Sequence, residues 1–148
     1  MTLQTFPGDL AQSFSIIHRA FQRDTQPIYK TLKLNVTNAY ILLLLEQQGE
    51  HSQNELAKRL VINKGQITRE IKRLTELGYV SQTQSLDNKT TNVIRITAAG
   101  SQVVPKIVDI RNQWWQQRLD RSHIDVNAPF AEALDKVMRE LIQRSKSV

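Results

Sequence analysis

The 148-residue sequence predicts a mainly α-helical fold with one small β-hairpin. Three observations carry that expectation. Apolar residues recur at helical spacing along most of the chain. Two short segments near the middle each open with a capping pattern and are joined by about three residues. Directly after the second, "YVSQTQS" and "TNVIRIT" are rich in Val, Ile, Thr and Tyr and flank the polar "LDNKT", which is the pattern of two strands with a solvated tip.

Taken in order, Leu10, Phe14, Ile17 and Phe21 form one stripe of an amphipathic helix. It should run from about Gly8 to the middle twenties, where Pro27 ends or kinks it. Thr37 is the expected N-cap of a second helix. Inside that helix "YILLLLE" is apolar on nearly every side. Periodicity alone cannot assign such a run, but four consecutive leucines favour helix over a β-branched strand, and so apolar a segment belongs at the centre of the fold. Ser52 with Glu55 matches a capping box, and Leu56 with Leu60 supplies the buried edge of a short third helix. Asn63 with Gln66 repeats the pattern after the link Val61 to Ile62. Ile67, Ile71 and Leu74 then mark an inner face until Gly78 closes the helix as its C′ residue. Two capped helices joined by such a turn are a helix-turn-helix, and a hairpin directly after it is a wing. Thr97 caps a long helix reaching about Arg121, with Val103, Ile107, Ile110 and Trp114 on one side and Pro105 as a candidate kink. Asn127 and Pro129 open a last helix that carries Phe130, Leu134, Val137 and Leu141, widened by Met138 and Ile142. There is no internal repeat, low-complexity linker or second boundary, so residues 1–148 are expected to form one domain.

Composition narrows the function. A hydrophobic content of 40% is enough for one sizeable core. The absence of cysteine excludes a disulfide framework, a thiol nucleophile and a cysteine metal cluster. The start "MTLQTFPGDLAQ" lacks the basic and apolar regions of a signal peptide, and no apolar run approaches the length of a membrane span; the expectation is a cytoplasmic, soluble protein with no membrane partner. His18, His51 and His123 are scattered without metal-ligand spacing. There is no Gly-rich phosphate loop and no paired-histidine helix, so no catalytic residue, cofactor or metal is expected and the chain is not read as an enzyme.

Net charge is +6, which favours an anionic partner. Its distribution is more informative. Lys58, Arg59, Lys64, Arg69, Lys72 and Arg73 face one acid, Glu70, within a single short window. Solvated helices usually mix both signs, so a one-sided run points to binding. At about 100° per residue, Ile67, Ile71 and Leu74 gather on one face, while Gly65, Arg69, Lys72 and Arg73 point away and Gln66 and Thr68 lie on the flanks. A major groove admits one helix, and its base edges are read by Arg or Lys on guanine and by Gln or Asn on adenine. Lys64, Gly65, Gln66, Thr68 and Arg69, near the helix start, are positioned to enter first. Double-stranded DNA is therefore the expected partner. The alternative is a winged-helix interaction module that meets an acidic protein.

In order and spacing these pieces resemble the MarR family of winged helix-turn-helix regulators, most strongly from about Leu34 to Gly100. "SQNELAKRL" resembles the family's first motif helix, "NKGQITREIKRLTELGYV" its recognition helix, and "VIRITAAG" the strand and turn leading into the next helix. The resemblance implies a DNA-binding lobe over 34–100 and a helical dimerisation lobe from 1–33 and 101–148. It also implies a homodimer on a pseudo-palindromic operator, usually a repressor released by a small, often aromatic, ligand. Thr68, Arg69 and Arg73 match its recognition-helix pattern, and Ser52 sits where a phosphate contact is common. The wing departs from type: relatives usually show an Asp followed by closely spaced arginines near the tip, whereas "LDNKTTN" offers Asp87 and Lys89 with no arginine, and Lys89 can contact phosphate but reads groove shape less well than a guanidinium. Phe21, Tyr40 and Trp114 are the aromatic candidates for an effector pocket, although aromatics at helical spacing also serve as core. Adjacent tryptophans cannot share one helix face, so either one of Trp114 and Trp115 packs internally and the other at a partner's helices, or both cover the local core.

Overall fold

The computed structural model describes residues 7–84, 92–125, 127 and 129–146. Helices α1 (Asp9–Thr31), α2 (Val36–Gln48), α3 (Gln53–Leu60), α4 (Lys64–Glu76), α5 (Ala98–Arg121) and α6 (Pro129–Lys146) surround a three-stranded sheet of β1 (His51–Ser52), β2 (Val80–Gln84) and β3 (Asn92–Ile96). The mainly α architecture with a hairpin is as expected.

α2 lies at the centre because it has no polar face to turn outward. Val36, Ala39, Ile41, Leu42, Leu43 and Leu45 are all buried in one core cluster with Phe21, Tyr29, Leu56, Ile67, Ile71, Leu74, Ile94, Ile107 and Trp114. Its N-cap is Asn35 rather than the expected Thr37. The Asn35 side chain accepts from the Asn38 amide at 2.8 Å, and the Asn38 side chain accepts from the Asn35 amide at 2.8 Å. That reciprocal pair satisfies two donors at once, which a threonine two residues later cannot do.

α1 does not stop at Pro27 but continues to Thr31. Pro27 lies on the exposed side, so the carbonyl it leaves without a helical donor is on the water side, while Thr25 and Tyr29 hold the opposite side in the core. The helix ends with Lys33 in the left-handed region, φ 61°, and the Leu34 amide donates to the Tyr29 carbonyl at 2.9 Å.

The sheet has the order β1-β3-β2 and is antiparallel throughout. Val80 pairs with Ile96 and Gln84 with Asn92, as the β-rich runs predict. β1 was not anticipated, since two residues carry no readable period. It forms because His51 and Ser52 lie opposite Ile94 and Val93 across the free edge of β3.

α5 is fixed at both ends. At its start the Thr97 hydroxyl accepts from the Gly100 amide at 3.1 Å and donates to the Gly78 carbonyl at 2.6 Å, and the Thr97 amide donates to the Tyr79 carbonyl at 3.0 Å. Gly100 sits against that turn. A Cβ there would lie closer than 3.0 Å to the Tyr79 carbonyl oxygen and 2.7 Å from Ile96 Cγ1. Further along, Ile107 and Trp114 are buried as expected, joined by Val104 and Leu119, while Val103 and Ile110 are only partly covered. Pro105 stays within the helix. Trp114 packs edge to face on Phe21 with centroids 5.2 Å apart, and its indole N–H donates to Asp24 at 2.9 Å. α6 packs on α3 and leaves Phe130, Val137, Met138 and Leu141 exposed.

Two outcomes follow. Gly100→Ala forces the start of α5 against backbone that cannot yield, and should destabilise by about 1–3 kcal/mol as overpacking, read as a lower denaturation midpoint with unchanged slope. The guanidinium of Arg23 beside Asp24, then the Trp114 indole N–H, hold the Asp24 carboxyl below its ordinary range. A depressed carboxyl stabilises above its unfolded pKa, about 3.9, and loses that contribution as pH falls through its folded value. Asp24→Asn should therefore lower stability at neutral pH and flatten the acid limb of the stability profile.

Candidate nucleic-acid interface

The basic helix α4 is built from its buried side outward. Ile67, Ile71 and Leu74 have no exposed surface, and this sets which side of the helix faces the core. Asn63 caps the start, its side chain accepting from the Gln66 amide at 2.8 Å. At the other end Gly78, φ 77°, allows the Gly78 amide to donate to Thr75 and the Tyr79 amide to donate to Leu74, both at 3.0 Å. That is a Schellman closure with glycine at C′, as the sequence predicts.

Lys64, Gly65, Thr68, Arg69, Lys72 and Arg73 all lie exposed on the outward surface, and Gln66 is half-buried on its flank. Among the described residues Lys58, Lys64, Arg69 and Lys72 have no ion-pair partner. Four predicted residues have hydrogen-bond partners within the protein. The Gln66 amide donates to the Thr37 hydroxyl at 3.4 Å, and Arg73 Nη2 donates to the Lys33 carbonyl at 3.4 Å. The Thr68 hydroxyl lies 2.9 Å from the Lys64 carbonyl and 3.0 Å from Gln53 Oε1; its single proton serves one of them at a time. Ser52 is buried and acts as the N-cap of α3, accepting from the Glu55 amide at 3.1 Å. Lys89 and Asp87 lie outside the described residues.

Several neighbours of this surface carry no sequence signal. Gln53 meets Thr68 only because α3 and α4 cross, and Arg59 is turned to Gln48. Val61 closes α3 in the left-handed region, φ 54°, and is 75% exposed at the turn between the two helices. Arg95, on the outer face of β3, pairs with Glu50. Asn35 reaches the Glu70 carboxylate across 35 residues of sequence.

Of the aromatic candidates, Phe21 and Trp114 are brought together as a packed pair in the core. Tyr40 instead lies under the Arg111 guanidinium, 5.8 Å from the ring centroid. Tyr29, which periodicity placed nowhere special, shares these surroundings. Its phenol is fully buried without a hydrogen-bond partner, and burial pushes it up to about 12 against the opposing charge of Arg111. Trp114 is 8% exposed and the adjacent Trp115 39%.

A capped helix with a cationic face, seated on an apolar core and followed by an antiparallel hairpin, is a winged helix-turn-helix arrangement. Residues 34–90 match the MarR family model. Over that stretch the chain is similar to the MarR family of transcriptional regulators. It is 28% identical over 104 residues to the transcriptional regulator Hpr of Bacillus licheniformis, covering 70% of this chain and 50% of the relative. It is 23% identical over 101 residues to the transcriptional repressor IacR of Pseudomonas putida, covering 68% and 60%. The matched stretch thus spans about half the length of those relatives. In fold it resembles a mutant MarR from E. coli solved in complex with operator DNA, with a TM-score of 0.71, 16% identity, and coverage of 90% and 93%. No helix among the described residues is long and apolar enough to cross a membrane.

Proposed function

We propose that the protein is a repressor that binds a pseudo-palindromic operator as a homodimer, laying α4 in the major groove. The observation that carries this reading is the unpaired cationic face of α4 directly opposite three fully buried anchors. Arg69 and Lys72 are free to meet bases or phosphates, Lys64 and Gly65 lead the helix into the groove, and Thr68 with Gln66 supplies hydrogen-bonding groups beside them. Arg73 and Ser52, tied to Lys33 and Glu55, serve the phosphate backbone at the edges, and Lys89 of the wing adds a phosphate contact. Residues 34–100 make the DNA-binding lobe, and 1–33 with 101–148 the dimerisation lobe.

The dimer reading rests on apolar side chains that a lone chain leaves in water. Leu10, Phe14, Ile16 and Ile17 on α1, Trp115 on α5, and Phe130, Val137, Met138 and Leu141 on α6 are all exposed. Two-fold pairing through these helices sets the recognition helices about 34 Å apart, one duplex turn. The reading extends to a small aromatic effector met by Phe21, Tyr40 and Trp114 on α1, α2 and α5, with Tyr29 and Arg111 beside them. The unpartnered Tyr29 phenol supports a polar group there.

Duplexes selected from the source genome test the DNA reading. Affinity should fall steeply with salt, log K declining by about 0.9 per phosphate contact for each tenfold rise. Arg69→Ala should weaken the selected operator by about 1–3 kcal/mol and relax discrimination at one base pair, whereas Lys89→Ala should weaken all duplexes evenly and lower the salt slope by about 1. Absence of duplex binding even at low salt, with an acidic protein bound instead, would reverse the conclusion. Light scattering on the eluting protein should give twice the chain mass at micromolar concentration; a monomer there removes the two-fold arrangement.

A further inference from the structure

The recognition helix is tied to the rest of the molecule by a polar strap that no sequence motif announces. Gln66, Glu70 and Arg73 recur at i, i+4 and i+7 on the flank of α4. Each meets one residue of the elbow between α1 and α2 or of the first turn of α2, in antiparallel order. Gln66 donates to Thr37 at 3.4 Å, Glu70 accepts from Asn35, and Arg73 donates to the Lys33 carbonyl at 3.4 Å. The central contact is the strongest. Asn35 Nδ2 lies 3.2 Å from Glu70 Oε1 and 3.1 Å from Oε2, so one amide engages both oxygens of a charged, half-buried acceptor.

The elbow is itself rigid. Asn35 is held in its reciprocal cap with Asn38, Leu34 is buried, and the Leu32 carbonyl accepts from the Tyr79 hydroxyl at 3.3 Å. Glu70 is also the one acid on the basic window. A carboxylate there weakens attraction to phosphate, so a helix built only for charge would omit it.

We propose that Asn35 and Glu70 are positioning residues for base reading: their contact fixes the rotation and tilt of α4 against the α1–α2 elbow, trading some general affinity for discrimination between sequences. This rests on the DNA-binding reading above. Apolar anchors alone leave a helix free to rock about its buried stripe. A charge-assisted contact on its flank removes that freedom.

The test uses the full chain and four variants: Glu70→Ala, Glu70→Gln, Asn35→Ser and the Glu70→Ala/Asn35→Ser double. Both Glu70 variants remove the same charge, but Gln keeps an acceptor for Asn35; Ser at 35 keeps the helix cap and loses only the amide. Affinity is measured for a selected operator and for a scrambled duplex of equal length. Both Glu70 variants should bind scrambled duplex more tightly, and to the same extent. Glu70→Ala and Asn35→Ser should each lower the operator-to-scrambled ratio by about tenfold, the scale of one hydrogen bond to a charged group, whereas Glu70→Gln should retain most of it. Identical ratios for Ala and Gln at 70 would reduce Glu70 to a counter-charge and overturn the proposal. A double-mutant cycle on denaturation without DNA gives an independent reading: the two losses should combine to less than their sum, and strict additivity refutes the contact. If the wild-type protein prefers no duplex at all, the DNA reading fails and the cycle alone decides the strap.

Discussion

The burial of Ile67, Ile71 and Leu74 against the core is the constraint on which the rest of the molecule depends. Each buried side chain of this size is worth roughly 1.5–3 kcal/mol relative to exposure. Their i, i+4, i+7 spacing makes them a line rather than a point, so they lay one side of α4 along the core. The opposite side is thereby turned to solvent. α2 makes this possible because it is apolar on every side and meets α1, α4 and α5 at once. A polar face on α2 would leave one of those contacts unfilled.

Against that frame of apolar contacts, several acids sit at joints between elements: Asp24 receives the Trp114 indole, Glu46 accepts from Ser101, Glu50 meets Arg95, and Glu70 meets Asn35. Lys64, Arg69 and Lys72, exposed on α4, have no ion-pair partner among the described residues. Neighbouring like charges on a helix repel by a few tenths of a kcal/mol each, which is small beside the buried anchors. The fold can therefore carry an unneutralised face.

The joints also connect distant parts of the chain. Phe21 and Asp24 on α1 clasp Trp114 on α5, with the Arg118 guanidinium 5.0 Å from the indole ring centre. The same helix α1 ends at the elbow that grips α4. Packed and hydrogen-bonded groups thus link the outer helices, where apolar surface is exposed, to the cationic surface of α4.

What the sequence determined by itself is whatever short-range patterns encode. Helical spacing located the three anchors of α4, the Asn63 and Ser52 caps, the Gly78 stop, the two hairpin strands and the Thr97 cap, because each depends on residues within a few positions of one another. The same local reading gave the surface that carries Lys64, Arg69 and Lys72. It missed the Asn35 cap, since a reciprocal Asn pair and a nearby threonine look equally able to open a helix until the backbone chooses. It left α1 to end or kink at Pro27, since only the buried grip of Thr25 and Tyr29 shows that the helix continues past a missing donor. Tertiary structure alone decided the pairing of β1 with β3, the burial of Ser52, the turning of Gln66 and Arg73 toward the elbow, and the meeting of Asn35 with Glu70. Those contacts join residues tens of positions apart, and a side chain's partner across such a gap is set by how helices cross, which no local period records.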